Sequence, residues 1–185
     1  MKAYQDASLA PARRAKALLE EMTLAEKVGQ LNQRLYGFRI YERKCVNGED
    51  TIELSEEFCQ EVEKYSGLGV LYGLYRADPW ADKNYETGLT GVLSKKAYNQ
   101  VQRYVLEHSR LGIPVMMSSE CPHGHQALDG YLLPVNLLAG ATFDPAMVRA
   151  AYRVSGRQLQ NMGVDFALMS MLDVLRDPRW GRSEE

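Results

Sequence analysis

What this chain has little of narrows its class before any motif is read. Its three cysteines, Cys45, Cys59 and Cys121, form no CxxC pair and leave an odd one out, which argues against a disulfide framework and against a zinc site. Reduced thiols are expected. An excess of one charge is also missing: the net charge is -2 and the isoelectric point lies near 6.0. That leaves no basic footprint for nucleic acid and no polybasic patch for a membrane, so the expected partner is a small or neutral molecule. No apolar run is long enough to span a bilayer, and the leading Met-Lys-Ala-Tyr-Gln-Asp is polar, unlike a secretory signal. A cytoplasmic location is expected. Internal repeats and low-complexity stretches are absent as well.

What is present is an ordinary globular composition of 185 residues, 45% hydrophobic and 25% charged, enough for one domain with a core. Ala15, Leu18, Leu19 and Met22 recur at helical spacing behind Pro11, which predicts an amphipathic helix over 11–22. Thr23-Leu-Ala-Glu26 has the form of a capping box and predicts a second helix carrying Leu24, Val28 and Leu31. Residues 33–54 show no clean period and contain the turn pair Asn47-Gly48, so they read as a long excursion or an irregular hairpin. Ser55 is placed to cap a helix with Phe58, Val62 and Tyr65 on one face, ended by Gly67 and Gly69.

Strands are predicted over 69–75, 113–119 and 164–172, the last a continuous apolar run that breaks at Asp173. Between them, Ser94 caps a predicted helix with Ala97, Val101, Tyr104 and Val105 in one stripe. Asp144-Pro145 opens another, with Met147, Val148, Ala151, Val154, Leu159 and Met162 inward as far as Gly163. Alternating strands and helices predict an α/β fold with parallel pairing and right-handed crossovers. A closed eight-stranded α/β barrel needs about 250 residues. These 185 are therefore expected to form no closed barrel by themselves.

Two loops at strand ends are rich in groups that grip a polyol, the place where α/β folds put ligand groups. In 118–129, Glu120 either accepts hydrogen bonds from adjacent hydroxyls or pairs with an arginine to fasten two loops. The neighbouring Cys121, His123 and His125 suggest a metal site, but the ligands crowd into six residues without a distant partner. The two histidines read first as structural. In 173–185, Arg176, Asp177 and Arg179 read first as a salt-bridge lattice. Trp180 is a core plug or a stacking platform, and Arg182, after Gly181, is freer to project toward hydroxyls or a carboxylate. The loop 76–85, with Trp80 and Tyr85 among charges, suits a sugar-stacking wall or a plain surface loop.

These residues carry a resemblance. Leu18 through Leu31, Arg110-Leu-Gly-Ile-Pro-Val115, Glu120-Cys-Pro-His-Gly124, Thr142-Phe-Asp-Pro145 and Asp173-Val-Leu-Arg-Asp-Pro-Arg-Trp-Gly-Arg182 stand in the order found in glycoside hydrolase family 3. The chain resembles the amino-terminal part of its β-glucosidase and β-xylosidase group along nearly its whole length. The resemblance implies that residues 1–185 are the first part of a (β/α)8 barrel domain, preceded by a helical hairpin and incomplete here. It implies that Glu120 and Arg182 bind the sugar of subsite −1, with His123, Gln126 and Asp173 as possible supporting residues. The family usually has Asp where this chain has Glu120, so the carboxylate reaches one methylene further. Tyr36, Tyr75, Arg76 and Trp80 are candidates for contacting the group that separates glucose from xylose.

Members hydrolyse β-glycosides with retention, through an Asp nucleophile and a separate acid/base. The resemblance puts both, with a Lys-His sugar-binding pair, beyond the positions matched here, so the 185 residues are expected to be inactive alone. It implies no cofactor or metal. The expected partner is a small-molecule sugar or β-glycoside, with the remainder of the enzyme or self-association as further possibilities. The alternative is a non-catalytic sugar-binding or assembly module.

Overall fold

The computed structural model describes residues 2–169 and 171–184. Pro11 opens α1 (Pro11–Glu21), where its missing N–H leaves nothing unpaired. Thr23 then starts α2 (Leu24–Gln30). Its hydroxyl accepts from the Glu26 amide at 3.2 Å and its own amide donates to the Glu26 carboxylate at 2.8 Å, the reciprocal arrangement that the Thr-x-x-Glu spacing predicts. The expected apolar faces turn inward only in part: Met22 is buried, while Leu19, Leu24, Val28 and Leu31 are exposed, and α2 buries Glu26 and Gly29 instead.

Close backbone approach explains the difference. The Gly69 amide donates to the Gly29 carbonyl at 3.0 Å, and a Cβ on Gly69 would lie 1.9 Å from the Gln30 carbonyl oxygen. Helix and strand meet main chain to main chain, which only glycine permits.

The 33–54 excursion resolves into a hairpin, β1 (Tyr41–Val46) and β2 (Glu49–Leu54), paired antiparallel. Asn47 and Gly48 both take positive φ at its tip, as a two-residue hairpin turn requires. Ser55 caps α3 (Glu56–Tyr65) through the Phe58 amide. The left-handed residue that ends α3 is Ser66, not one of the two glycines expected there. The Ser66 hydroxyl is occupied in accepting from the Arg110 amide.

Only three residues of the expected first strand pair, β3 (Val70–Tyr72), because Gly73 at φ 71° turns the chain. The next strand, β4 (Met116–Glu120), starts later than the apolar run. Pro114 has no N–H for a ladder, and both backbone groups of Val115 are taken by the Gln102 side chain. Between these strands, α4 (Gly91–Glu107) buries Ala97, Val101 and Val105 completely. Ser94 does not cap it; Thr90 precedes the helix, and Ser94 sits inside it with a buried, unpartnered hydroxyl.

A short helix that the periodicity did not announce, α5 (Asn136–Gly140), leads to α6 (Pro145–Asn161). The Asp144 carboxylate caps α6 through the Ala146 and Met147 amides. Of α6, only Ser155 and Leu159 are buried, and Met147 and Val154, expected inward, are exposed. The buried run expected over 164–172 pairs only as β5 (Phe166–Leu168), with Phe166 51% exposed and Leu172 96% exposed. Ser170, inside that run, lies outside the described residues.

The fold is α/β. Strands β3, β4 and β5 form a parallel sheet in that order, with Tyr72 opposite Ser118 and Ser118 opposite Phe166. One core joins Tyr41 and Ile52 of the hairpin, Phe58 and Val62 of α3, and the α4 stripe to Leu71 and Met117 of the sheet.

Arg110 ties this core to α2. Its guanidinium donates to both Glu26 oxygens, at 2.8 and 2.7 Å, and to the Glu21 carbonyl at 2.8 Å. Arg110 is thus the main cause holding the Glu26 carboxyl down at about 2, against the desolvation that opposes it. Because the folded value is depressed, this stabilisation is complete above the unfolded value of 4.5 and is lost as pH falls toward 2. Arg110→Met is expected to lower stability at neutral pH, because it leaves the Glu26 carboxylate without its charged partner. It is also expected to flatten the stability profile between those two pH values. Thermal unfolding as a function of pH reads both effects.

Candidate functional site

The carboxyl ends of β3 and β4 lie side by side and carry a connected set of polar side chains. Parallel pairing sets Tyr72 beside Ser118, two residues short of Glu120, and the Tyr72 hydroxyl donates to Glu120 Oε1 at 2.7 Å. Arg76, four residues beyond Tyr72, donates to the Tyr72 hydroxyl and reaches Glu120 Oε1 at 3.5 Å. Its Nε donates to Asp78 Oδ2 at 2.7 Å. Burial opposes the Asp78 charge, yet Arg76 and the Ala81 amide hold its carboxyl below the usual range. Burial, and then the adjoining Glu120, push the Tyr72 phenol upward, so it stays protonated and donates.

Aromatic rings wall this cluster. Arg76 lies over the Trp80 ring at 4.6 Å, Trp80 meets Tyr36 and Phe38 edge to face at 5.0 Å each, and Tyr36 also meets Tyr72. Tyr36 and Trp80 are half-exposed. The 76–85 loop is therefore a structured wall where its first residues meet the strand ends. Tyr75 has no part in it: it is buried, with its hydroxyl donating to the Met162 carbonyl at 2.7 Å.

The segment after Glu120 folds back on itself. Gly124 takes φ 96°, and a Cβ there would lie 2.2 Å from the Tyr131 carbonyl oxygen, so the doubling-back demands glycine. Gln126 is fixed by its main chain: its amide donates to the Glu120 carbonyl and its carbonyl accepts from the Ala77 amide. Its side-chain oxygen is buried without a partner among the described residues. His123 contributes its carbonyl, accepting from the Leu133 amide at 2.8 Å. His125 is a core residue, in contact with Ser119 Oγ at 3.0 Å and set edge-on to Tyr75, and burial lowers its pKa to about 4. Burial also pushes the Cys121 thiol up, away from the reactive thiolate. Among the described residues no group of three or more His, Cys, Asp or Glu side chains is placed to hold a metal ion. No helix of the described residues is long and apolar enough to cross a membrane.

The second loop is built more openly. Asp173, Arg176 and Arg182 are exposed. Of the expected lattice, the described residues show the local pair of Arg179 with Asp177, in which Arg179 Nε donates to Oδ1 at 2.9 Å, and among them Arg176 joins no ion pair; Glu185 lies outside the described residues. Trp180 is half-exposed and so is not a core plug. Gly181, left-handed at φ 88°, turns the chain into Arg182. Sequence reasoning singled out Glu120 but missed Tyr72 and Asp78. Glu120, which Tyr72 meets directly and Asp78 through Arg76, lies on another strand, so no local spacing signalled them.

Comparison with known proteins agrees with the motifs. The model of the glycosyl hydrolase family 3 N terminal domain matches residues 23–185. A putative β-xylosidase of Formosa agariphila is 30% identical over the whole chain, which covers 22% of that relative. A periplasmic β-glucosidase of Salmonella typhimurium is 27% identical over 91% of the chain and 17% of the relative. The solved structure of a β-glucosidase from Erythrobacter marinus matches 99% of the chain and 21% of its own, at a TM-score of 0.71 and 28% identity. The chain thus spans about a fifth of the length of these relatives.

One prediction follows from His125. Its folded pKa is depressed from 6.5 to about 4, so its contribution is complete above 6.5 and is lost as pH falls through that interval, where the unfolded chain takes up the proton first. His125→Gln is expected to remove that slope, worth at most about 3 kcal/mol. Urea unfolding at several pH values between those limits checks it.

Proposed function

Because the chain belongs to glycosyl hydrolase family 3, we propose that it supplies part of the sugar site of a retaining exo-acting β-glycosidase that removes terminal β-linked glucose or xylose. The parallel strands β3, β4 and β5 are then the opening strands of a (β/α)8 barrel, and their carboxyl ends line its mouth. Glu120 accepts from a hydroxyl of the sugar in subsite −1. Arg182 donates to the same ring from the loop after Gly181 with its fork of N–H groups. Gln126, whose amide donates to the Glu120 carbonyl, His123 and Asp173 support the rim. The observation that carries this reading is a carboxylate anchored at a strand end among phenol, guanidinium and half-exposed aromatic rings, within a matched family domain.

Retention needs two carboxyl groups about 5 Å apart, one acting as nucleophile and the other as acid/base. The resemblance implies that both lie outside residues 1–185, so this reading assigns these residues sugar recognition.

The 185-residue chain is expected to release no nitrophenol from p-nitrophenyl β-glucoside or β-xyloside, and to bind glucose or xylose saturably. Glu120→Ala and Arg182→Ala are each expected to weaken that binding about tenfold, the loss of one charge-assisted hydrogen-bonding group. Turnover by the chain alone overturns the assignment of roles. Calorimetry showing no sugar binding, or binding unchanged in both variants, overturns the site.

A further inference from the structure

Glu120 is not a free carboxylate waiting for a ligand. Oε1 accepts from the Tyr72 hydroxyl at 2.7 Å and from Arg76 Nη1 at 3.5 Å, and among the described residues Oε2 accepts no hydrogen bond. The donors on Oε1 are themselves held. Tyr72 is the last residue of β3, and its register against β4 is set by the sheet. Arg76 is mostly buried, is engaged by Asp78 through Nε and Nη2, and is covered by the Trp80 ring. Asp78 in turn accepts from the Ala81 amide at 2.9 Å. The loop after β3 closes on the next one through the Ala77 amide and the Gln126 carbonyl, and Arg76 pairs with Ala127 as an isolated bridge.

We propose that Tyr72, Arg76 and Asp78 form a positioning brace that ties one oxygen of Glu120 inward and presents the other, Oε2, to the sugar. Tyr72 and Arg76 are positioning residues: they act on the substrate through Glu120. The argument is geometric. Glutamate has one more rotatable bond than aspartate and loses more rotamer entropy when it is fixed. A carboxylate whose Oε1 is already bonded to two donors has lost that freedom before the ligand arrives, so less is lost on binding. With Oε1 occupied, recognition by Glu120 is confined to the hydroxyls that reach Oε2. Arginine suits the brace because its planar fork serves Asp78 with one edge and Tyr72 with another nitrogen, which an ammonium group does not reproduce.

This inference rests on the proposed sugar role of Glu120, and the test separates the two. Carbon-13 spectra of the 185-residue chain report the Glu120 side-chain carboxyl, assigned by its loss in Glu120→Gln. Calorimetry with xylose and glucose reports affinity. In Tyr72→Phe, which keeps the ring, and in Arg76→Met, the Glu120 carboxyl resonance is expected to move, and affinity to fall about tenfold. Each combined with Glu120→Gln is expected to lose no more than Glu120→Gln alone, as residues acting through one group do. Arg76→Lys is expected to restore little. If Arg76→Met does not fold, Tyr72→Phe and Asp78→Asn carry the same two readouts.

A Glu120 resonance unmoved in the folded variants overturns the brace, and so does an affinity loss that adds fully to that of Glu120→Gln. A resonance that moves while no variant, nor the parent chain, binds sugar upholds the brace and overturns the sugar assignment.

Discussion

The parallel register of β4 between β3 and β5 is the constraint on which the site depends. Pairing Tyr72 with Ser118, and Ser118 with Phe166, brings the ends of three chain segments to one side of the sheet. The phenol of Tyr72 then falls within hydrogen-bonding reach of Glu120, 48 residues away in sequence. A shift of one residue would exchange the faces of the whole strand and turn Met117 out of the core. Burial of Leu71 and Met117 against the α4 stripe opposes any such shift, so the packing that stabilises the domain also aligns the polar groups at its edge.

The other half of the scaffold is fastened at the opposite end of the strands by main chain and by one charge pair. Gly69 admits the α2 backbone directly onto the start of β3, and Arg110, just before the run into β4, holds the Glu26 carboxylate that also closes the α2 capping box. A single carboxylate thus serves as helix cap and as the tie to the segment after α4. This is consistent with α2 docking while Leu24 faces outward: it is held by a carboxylate, by main chain and by the close seat of Gly29 on the Tyr65 side chain.

What was legible in the sequence is what is local. Thr23, Ser55 and Asp144 cap their helices because a side chain two or three residues from an amide can satisfy it wherever the rest of the chain goes. The α4 stripe was legible because burial there repeats at helical period. Ser94 misled because the same residue type that caps a helix can also be buried inside one, and only packing separates the two cases. The extent of β3, β4 and β5 misled because hydrophobicity reports what a residue can bury and not what covers it. Val70 through Tyr75 are apolar enough for a long strand, yet Gly73 turns the chain and sends Leu74 and Tyr75 into the core by another route. The Tyr72–Arg76–Asp78 group was out of reach because its meaning depends on Glu120, and no spacing within 72–78 announces a partner on another strand.

The two residues assigned to the sugar differ in how they are built, and that difference follows from where the core lies. The buried cluster runs from Leu35 to Met117, and Glu120 stands three residues past its last member with its oxygen already bonded. Arg182 stands far beyond it, exposed, on a loop in which Arg179 and Asp177 form a local, exposed ion pair. Local exposed pairs of this kind contribute little, about 0–1 kcal/mol, so they do not order a loop as a core does. A sugar meeting both residues would find the carboxylate fixed by the fold, while the guanidinium is ordered by other contacts.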